Sequence, residues 1–161
     1  MRTKFLWLCV MVISTFPLFA QQRNFQWQFF ASDGLSVNRA TGAKSDVFTA
    51  NFAVVAPRKT KFFVKSFVGT GRSFAIDPAK PTPSVPVLQV GALLGYRATK
   101  RFSPLVGYIE SMQFPSTSAN LYLPTFVATT ATRIHGRWGI YTPFTVNSRS
   151  IGGALQLGYT W

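Results

Sequence analysis

Ile151-Gly-Gly-Ala-Leu155-Gln-Leu157-Gly-Tyr159-Thr-Trp161 closes the chain, and the fold turns on how these residues are read. Leu155, Leu157, Tyr159 and Trp161 fall on alternate positions, with Ala154, Gln156, Gly158 and Thr160 between them. A period of two is the period of a β-strand, so one face meets an apolar medium and the other a polar or crowded one. The alternation recurs upstream. Phe25, Trp27 and Phe29 oppose Asn24, Gln26 and Gln28, and Leu88, Val90, Ala92, Leu94 and Tyr96 oppose Gln89, Gly91, Gly95 and Arg97. No stretch of useful length carries helical periodicity, while Phe, Val, Thr and Tyr abound, which favours strands. Eight segments are predicted: Asn24–Ala31, Val47–Ala56, Thr60–Gly69, Val87–Thr99, Phe102–Phe114, Ala119–Thr129, Thr132–Thr142 and Ile151–Trp161. In the fifth and sixth, the pairs Val106/Tyr108 and Leu105/Ile109 compete for the same face, and Pro104, Pro124 and Pro143 each remove a ladder donor.

Which face lies inside decides the class. A soluble, lipocalin-like barrel points its large apolar residues inward, around a small apolar ligand. A membrane barrel points them outward, with aromatics at the two interfaces. The polar faces here are rich in Gln, Gly, Thr and Ser and thin in Lys and Glu, which does not suit open water. Tyr96, Tyr141, Tyr159 and Trp161 stand near strand ends, as an interfacial girdle requires, and segments of about ten residues suit a tilted bilayer crossing. The connections agree. Ser32–Asp46 and the Pro-rich Thr70–Pro86 are long, whereas Pro57–Lys59, Lys100-Arg101 and Thr130-Ala131 are tight; only Pro115–Ser118 is a short connection where a long one is expected. Long loops alternating with short turns is an outer-membrane pattern, long outside and short in the periplasm.

Composition bounds the rest. The 161 residues are 47% apolar and 16% aromatic but only 13% charged, with 17 Lys+Arg against 4 Asp+Glu. Such a chain can bury apolar surface and is not disordered. One Cys excludes a disulfide scaffold, and four acids with one His leave little material for a metal cage or a carboxylate dyad. At the start, Met1–Lys4 is positive, Phe5–Phe19 is apolar and Ala20 precedes Gln21-Gln22-Arg23. This has the form of a secretory signal cut after Ala20, although Leu18 stands where a small residue is preferred. The expected organisation is a signal peptide over 1–20 and one barrel domain over 21–161, with Cys9 leaving in the signal.

The signal, the eight alternating segments and the aromatic last residue together resemble the small eight-stranded outer-membrane proteins of OmpA/OmpX type. The resemblance covers the whole mature chain as architecture rather than as matched sequence. It implies an all-β, antiparallel up-and-down transmembrane barrel in the outer membrane of a Gram-negative bacterium. It also implies that Leu155, Leu157, Tyr159 and Trp161 are the signal read by the barrel-assembly machinery. Two departures stand out: Trp161 replaces the commoner Phe, and Gln156 occupies a position often held by Gly.

Charged residues within predicted strands should face the lumen, since an isolated Arg facing lipid at mid-depth costs ~2–4 kcal/mol. Lys65, Arg97, Glu110, Arg133, His135 and Arg137 are therefore the expected luminal cluster, with Glu110 paired to Lys65, Arg97 or Arg137 and the whole acting as a charged plug. Arg39, Lys44, Arg72, Lys80 and Arg149 fall in predicted outer loops, where they could meet lipopolysaccharide phosphates or an external ligand. Arg58, Lys59, Lys61, Lys100 and Arg101 fall at periplasmic turns. No catalytic constellation is found. The lipid A deacylases among such barrels use His-x-Ser, and the residue two after His135 is Arg137. No metal spacing, cofactor motif or aromatic–basic interleaving for nucleic acid is present either. The expectation is a non-enzymatic structural or surface-interaction barrel without a cofactor. The competing reading is a narrow anion-favouring channel lined by Lys65, Arg97, Arg133, His135 and Arg137.

Overall fold

The computed structural model describes residues 25–76, 84–113 and 123–161. Among these, the strands are β1 (Gln26–Asn38), β2 (Lys44–Ala56), β3 (Phe62–Ala75), β4 (Val85–Tyr96), β5 (Phe102–Gln113), β6 (Leu123–His135), β7 (Trp138–Tyr141), β8 (Phe144–Val146) and β9 (Ser150–Thr160). From β1 to β7 each pairs antiparallel with the next, β7 and β8 both pair with β6 and β9, and β9 returns to pair with β1 from Gln28↔Thr160 to Asn38↔Ser150. The sheet closes, and closure leaves no edge to aggregate.

β7 and β8 are one stave of this barrel. Tyr141 faces Ala131 and Gln156, and Phe144 faces Ala128 and Gly153, so the register runs unbroken across Thr142-Pro143. The interruption comes from Pro143, which has no N–H to donate; its carbonyl still accepts from the Ala154 N–H at 3.0 Å. Counted by staves, the molecule is the all-β, eight-stranded antiparallel up-and-down barrel expected.

The facing is also as expected over most of the wall. Leu155 is 59% exposed and Leu157 49%, alongside Phe29, Phe62, Leu94, Phe126 and Ile134, all outside the barrel. At the end where β1 begins and β9 ends, here the base, outward rings touch in series. Trp27 stacks on Phe52 (centroids 5.0 Å apart), Phe52 meets Trp161 at 5.8 Å, Trp161 meets Tyr159 at 6.2 Å, and Tyr159 meets Trp138 at 5.1 Å. Tyr96 joins Phe62 in the same band. Tyr141, expected in this girdle, points into the lumen instead.

Inside, the wall departs from a purely polar lining. Phe30, Phe63, Phe67, Leu93, Leu105, Ile109 and Val127 form a buried cluster across the waist. Leu105 and Ile109 therefore win the inward face of β5, and Val106 and Tyr108 point out. Glycines on β4 make room for the rings: a Cβ on Gly95 would lie 2.2 Å from Phe63 Cζ, and one on Gly91 would lie 2.7 Å from Phe67 Cζ. The expected plug of buried charge is thus an aromatic and aliphatic plug, because a lumen this narrow is filled by side chains from opposite walls.

The strands run further than predicted at the opposite end, here the loop end. Ser32–Asp46 is mostly strand, with the turn confined to 39–43, and β3 and β4 likewise extend into Thr70–Pro86. Asp33, Asp46 and Arg72 occupy outward positions of these extensions, interspersed with the outward Leu35, Phe48 and Phe74. The sixth strand also runs past the predicted Thr130-Ala131 turn to His135. The chain reverses at Gly136-Arg137 instead, where Gly136 has φ +54°, a left-handed geometry that favours glycine.

Candidate functional site

Two cavities flank the waist. The base cavity, about 360 Å³, is reached by Lys65, Arg97, Lys100, Arg101, Arg133 and Arg137. The loop-end cavity, about 170 Å³, is lined by Ser32, Ser36, Thr49, Gln89, Thr125, Asn147 and Gln156, with no charged side chain among its lining residues.

Lys65 lies deepest, on the inward face of β3 at 1% exposure. Its Nζ sits 3.9 Å from the centroid of the Phe30 ring and 3.8 Å from that of Tyr141. Desolvating an ammonium costs several kcal/mol, and each aromatic face returns up to about 2 kcal/mol when water is excluded. Tyr141 is held in turn: its hydroxyl donates to Gln28 Oε1 at 3.0 Å, and a Cβ on Gly158 would stand 2.8 Å from its ring. The ring thus takes the space that a side chain at position 158 would need.

Arg97, in the turn after β4, lies 4.4 Å over the Phe63 ring and donates to the carbonyls of Thr60 and Pro57, tying down the turn between β2 and β3. Burial, and then the neighbouring Arg133 guanidinium, push the Arg97 pKa down. Arg133 and His135 do share the inward parity, but they belong to the end of β6 and stand exposed at the mouth rather than mid-lumen on a seventh strand. Arg137 lies in the following turn.

Glu110 is not luminal. Inward Leu105 and Ile109 fix the parity of β5, which places Glu110 on the outer face with Tyr108, opposite Val90 and Pro124. It cannot join Lys65 across the sheet. The cluster therefore assembles as cations alone: Lys65 and Arg97 inside, Arg133 and Arg137 at the mouth, His135 beyond the cavity lining, Glu110 outside.

Sequence reading missed Phe30 and Tyr141 as the cage of Lys65, and Lys100 and Arg101 as parts of the cavity. A signal for Phe30 existed, since it is the lone large apolar residue on the Gln26/Gln28/Ser32 face. At the loop end, Arg39 and Arg149 meet through a 2.7 Å backbone bond, Arg72 donates to Ser84 at 2.9 Å, and Lys44 is exposed at the start of β2. Lys80 and the expected signal peptide lie outside the described residues. Leu155, Leu157, Tyr159 and Trp161 all face outward, and the Trp161 N–H donates to the Trp27 carbonyl at 3.1 Å. Among the described residues no group of His, Cys, Asp and Glu could hold a metal ion.

No family model matches the sequence, and no curated protein matches it. Solved structures do match. The Yersinia pestis outer-membrane protein Ail in a phospholipid nanodisc superposes with TM-score 0.54 at 13% identity, over 83% of this chain and 99% of Ail. Neisserial surface protein A gives 0.53 at 10% identity over 85% and 96%, and a de novo designed transmembrane β-barrel gives 0.53 at 14% over 83% and 95%. The fold is that of a small outer-membrane β-barrel. In this outer-membrane-type barrel the waist is filled: Phe30, Lys65, Leu105 and Val127 are each at most 2% exposed. These side chains fill the waist between the two cavities.

Proposed function

We propose that the chain is a non-catalytic outer-membrane β-barrel protein of a Gram-negative bacterium, with its base in the periplasm and its loop end outside. Its role is structural or surface-interacting. The observation that carries this reading is the outward apolar face. Large side chains such as Phe62 (61% exposed), Leu155 and Phe126 occupy alternate positions around a closed wall, far beyond the patch a soluble monomer exposes to water. Lipid satisfies that face, and the aromatic band at the base suits an interface. The same feature weighs against the soluble, lipocalin-like alternative. The outward final strand, ending at Trp161, is the segment the assembly machinery would recognise.

Arg39, Lys44, Arg72 and Arg149 at the loop end suit lipopolysaccharide phosphates or an external anionic partner. Ail has also been solved with the heparin analogue sucrose octasulfate, which makes a sulfated polyanion a reasonable first external probe here. Electrophoresis of the membrane fraction in SDS, with and without heating, tests the reading. A heat-dependent shift of an outer-membrane protein is the expected result. A protein recovered in the soluble periplasmic extract, with no shift, would overturn it.

A further inference from the structure

The base cavity gathers six basic side chains, with no acidic side chain among its lining residues. The chain contains four acids in all: Asp33, Asp46, Asp77 and Glu110. Asp33 and Asp46 face outward on strand extensions at the loop end, and Glu110 is on the outer face of β5. Asp77 lies outside the described residues, between β3 and β4 in the sequence. The residues before Phe25 include no acid. Six bases therefore converge on about 360 Å³ with no acidic side chain of the described residues lining it.

Two of the six are already engaged. Lys65 is caged by aromatic faces, and Arg97 spends donors on the carbonyls of Pro57 and Thr60. Arg133, Arg137, Lys100 and Arg101 are exposed around the mouth. No side-chain hydrogen bond among the described residues uses the guanidinium of Arg133 or Arg137, and neither has an ion pair there. Guanidinium forks grip planar and tetrahedral oxyanions through paired N–H donors. Gln28 and Ser103 in the same lining add neutral polar groups, and the volume is that of a small-molecule site.

We infer that the base cavity is a blind binding site for a small, soluble, multivalent oxyanion, a phosphate or carboxylate compound. Lys65 closes its floor and Arg133 and Arg137 clasp the ligand at the mouth. The inference rests on the barrel fold and goes beyond the surface role proposed above, because the site opens at the opposite end. Charge convergence at a mouth also steers anions toward it, with a strong salt dependence.

Calorimetric titration of the folded full chain in nonionic detergent tests it, after a heat-shift gel has established the barrel; failure of that gel would count against the barrel reading instead. The probes are pyrophosphate and, separately, citrate, which tell a phosphate site from a carboxylate site; saturable one-to-one binding of either supports the inference. Arg133→Gln with Arg137→Gln should weaken binding by about tenfold or more. Arg39→Gln with Arg149→Gln, at the other end, should leave it within about twofold. Both pairs are exposed, so folding should survive. No saturable binding of either probe, or equal weakening by the two pairs, would overturn the inference. So would binding that appears only when phosphatidylglycerol is added, which would make the basic mouth a headgroup contact.

Discussion

At the base, β3 and β6 offer Lys65 and Arg133 to the lumen; toward the loop end, the same two strands offer Ser73 and Thr125. One wall thus lines two cavities of opposite character, the larger strongly cationic, the smaller neutral and rich in hydroxyl and amide groups. What separates them is the layer of Phe30, Phe67, Leu105 and Val127. The contrast teaches that luminal polarity in a narrow barrel is set locally. Charges gather at the exposed mouth, the waist is filled by side chains, and the one cation placed there lies against two aromatic faces.

Breaking the partition should have the largest effect. Phe30→Ala removes a ring that both fills the waist and covers the Lys65 ammonium, and should lower the unfolding free energy in lipid vesicles by about 3–5 kcal/mol. It should also produce conductance steps in planar bilayers that the parent protein lacks; unchanged stability would mean that the plug does not hold the barrel together. A smaller loss, about 1–3 kcal/mol, is expected for Gly95→Val, whose side chain would displace the Phe63 ring beside Arg97. Urea titration by tryptophan fluorescence reads both.

Tyr141→Phe keeps the ring over Lys65 but loses the bond to Gln28, and should cost about 0.5–1.5 kcal/mol in the same titration. The sharpest contrast between the two ends is expected where the stability effect is smallest. Arg133→Gln should change unfolding by no more than about 0.5 kcal/mol while weakening oxyanion binding, whereas Arg149→Gln should change neither. If both variants behave alike, the two ends do not differ in function.

The fold was legible wherever a strand has one uniform medium on each side. Along β9 and most of β4, outward residues meet the apolar surroundings and inward residues meet the opposite wall, so the period of two is clean. Legibility failed where that condition fails. On the extensions, Asp33, Asp46 and Arg72 interrupt the outward apolar series of Leu35, Phe48 and Phe74, and continuous strand reads as loop. At Thr130-Ala131 nothing in the residues forbids a turn, and the pairings from Ala131↔Tyr141 to His135↔Trp138 show the strand continuing. Glu110 illustrates a different limit. Charge alone argued for the lumen, but packing of Leu105 and Ile109 against the opposite wall decided the parity of β5. Of the candidate site, Lys65 and Arg133 were legible from strand parity, whereas Arg97 and Arg137, expected on strands, lie in turns. The aromatic cage was not legible, because it joins Phe30 and Tyr141 from staves far apart in sequence.

This barrel wears its apolar face outside. Single cysteines placed along β9 in a Cys9→Ser background, spin-labelled and reconstituted into lipid vesicles, test it most directly. Labels at Leu155, Leu157 and Tyr159 should be relaxed by lipid-dissolved oxygen, and those at Ala154, Gln156 and Thr160 should not. Labels at Leu155 and Leu157 relaxed instead by a water-soluble nickel reagent, or no period of two along the strand, would contradict the account.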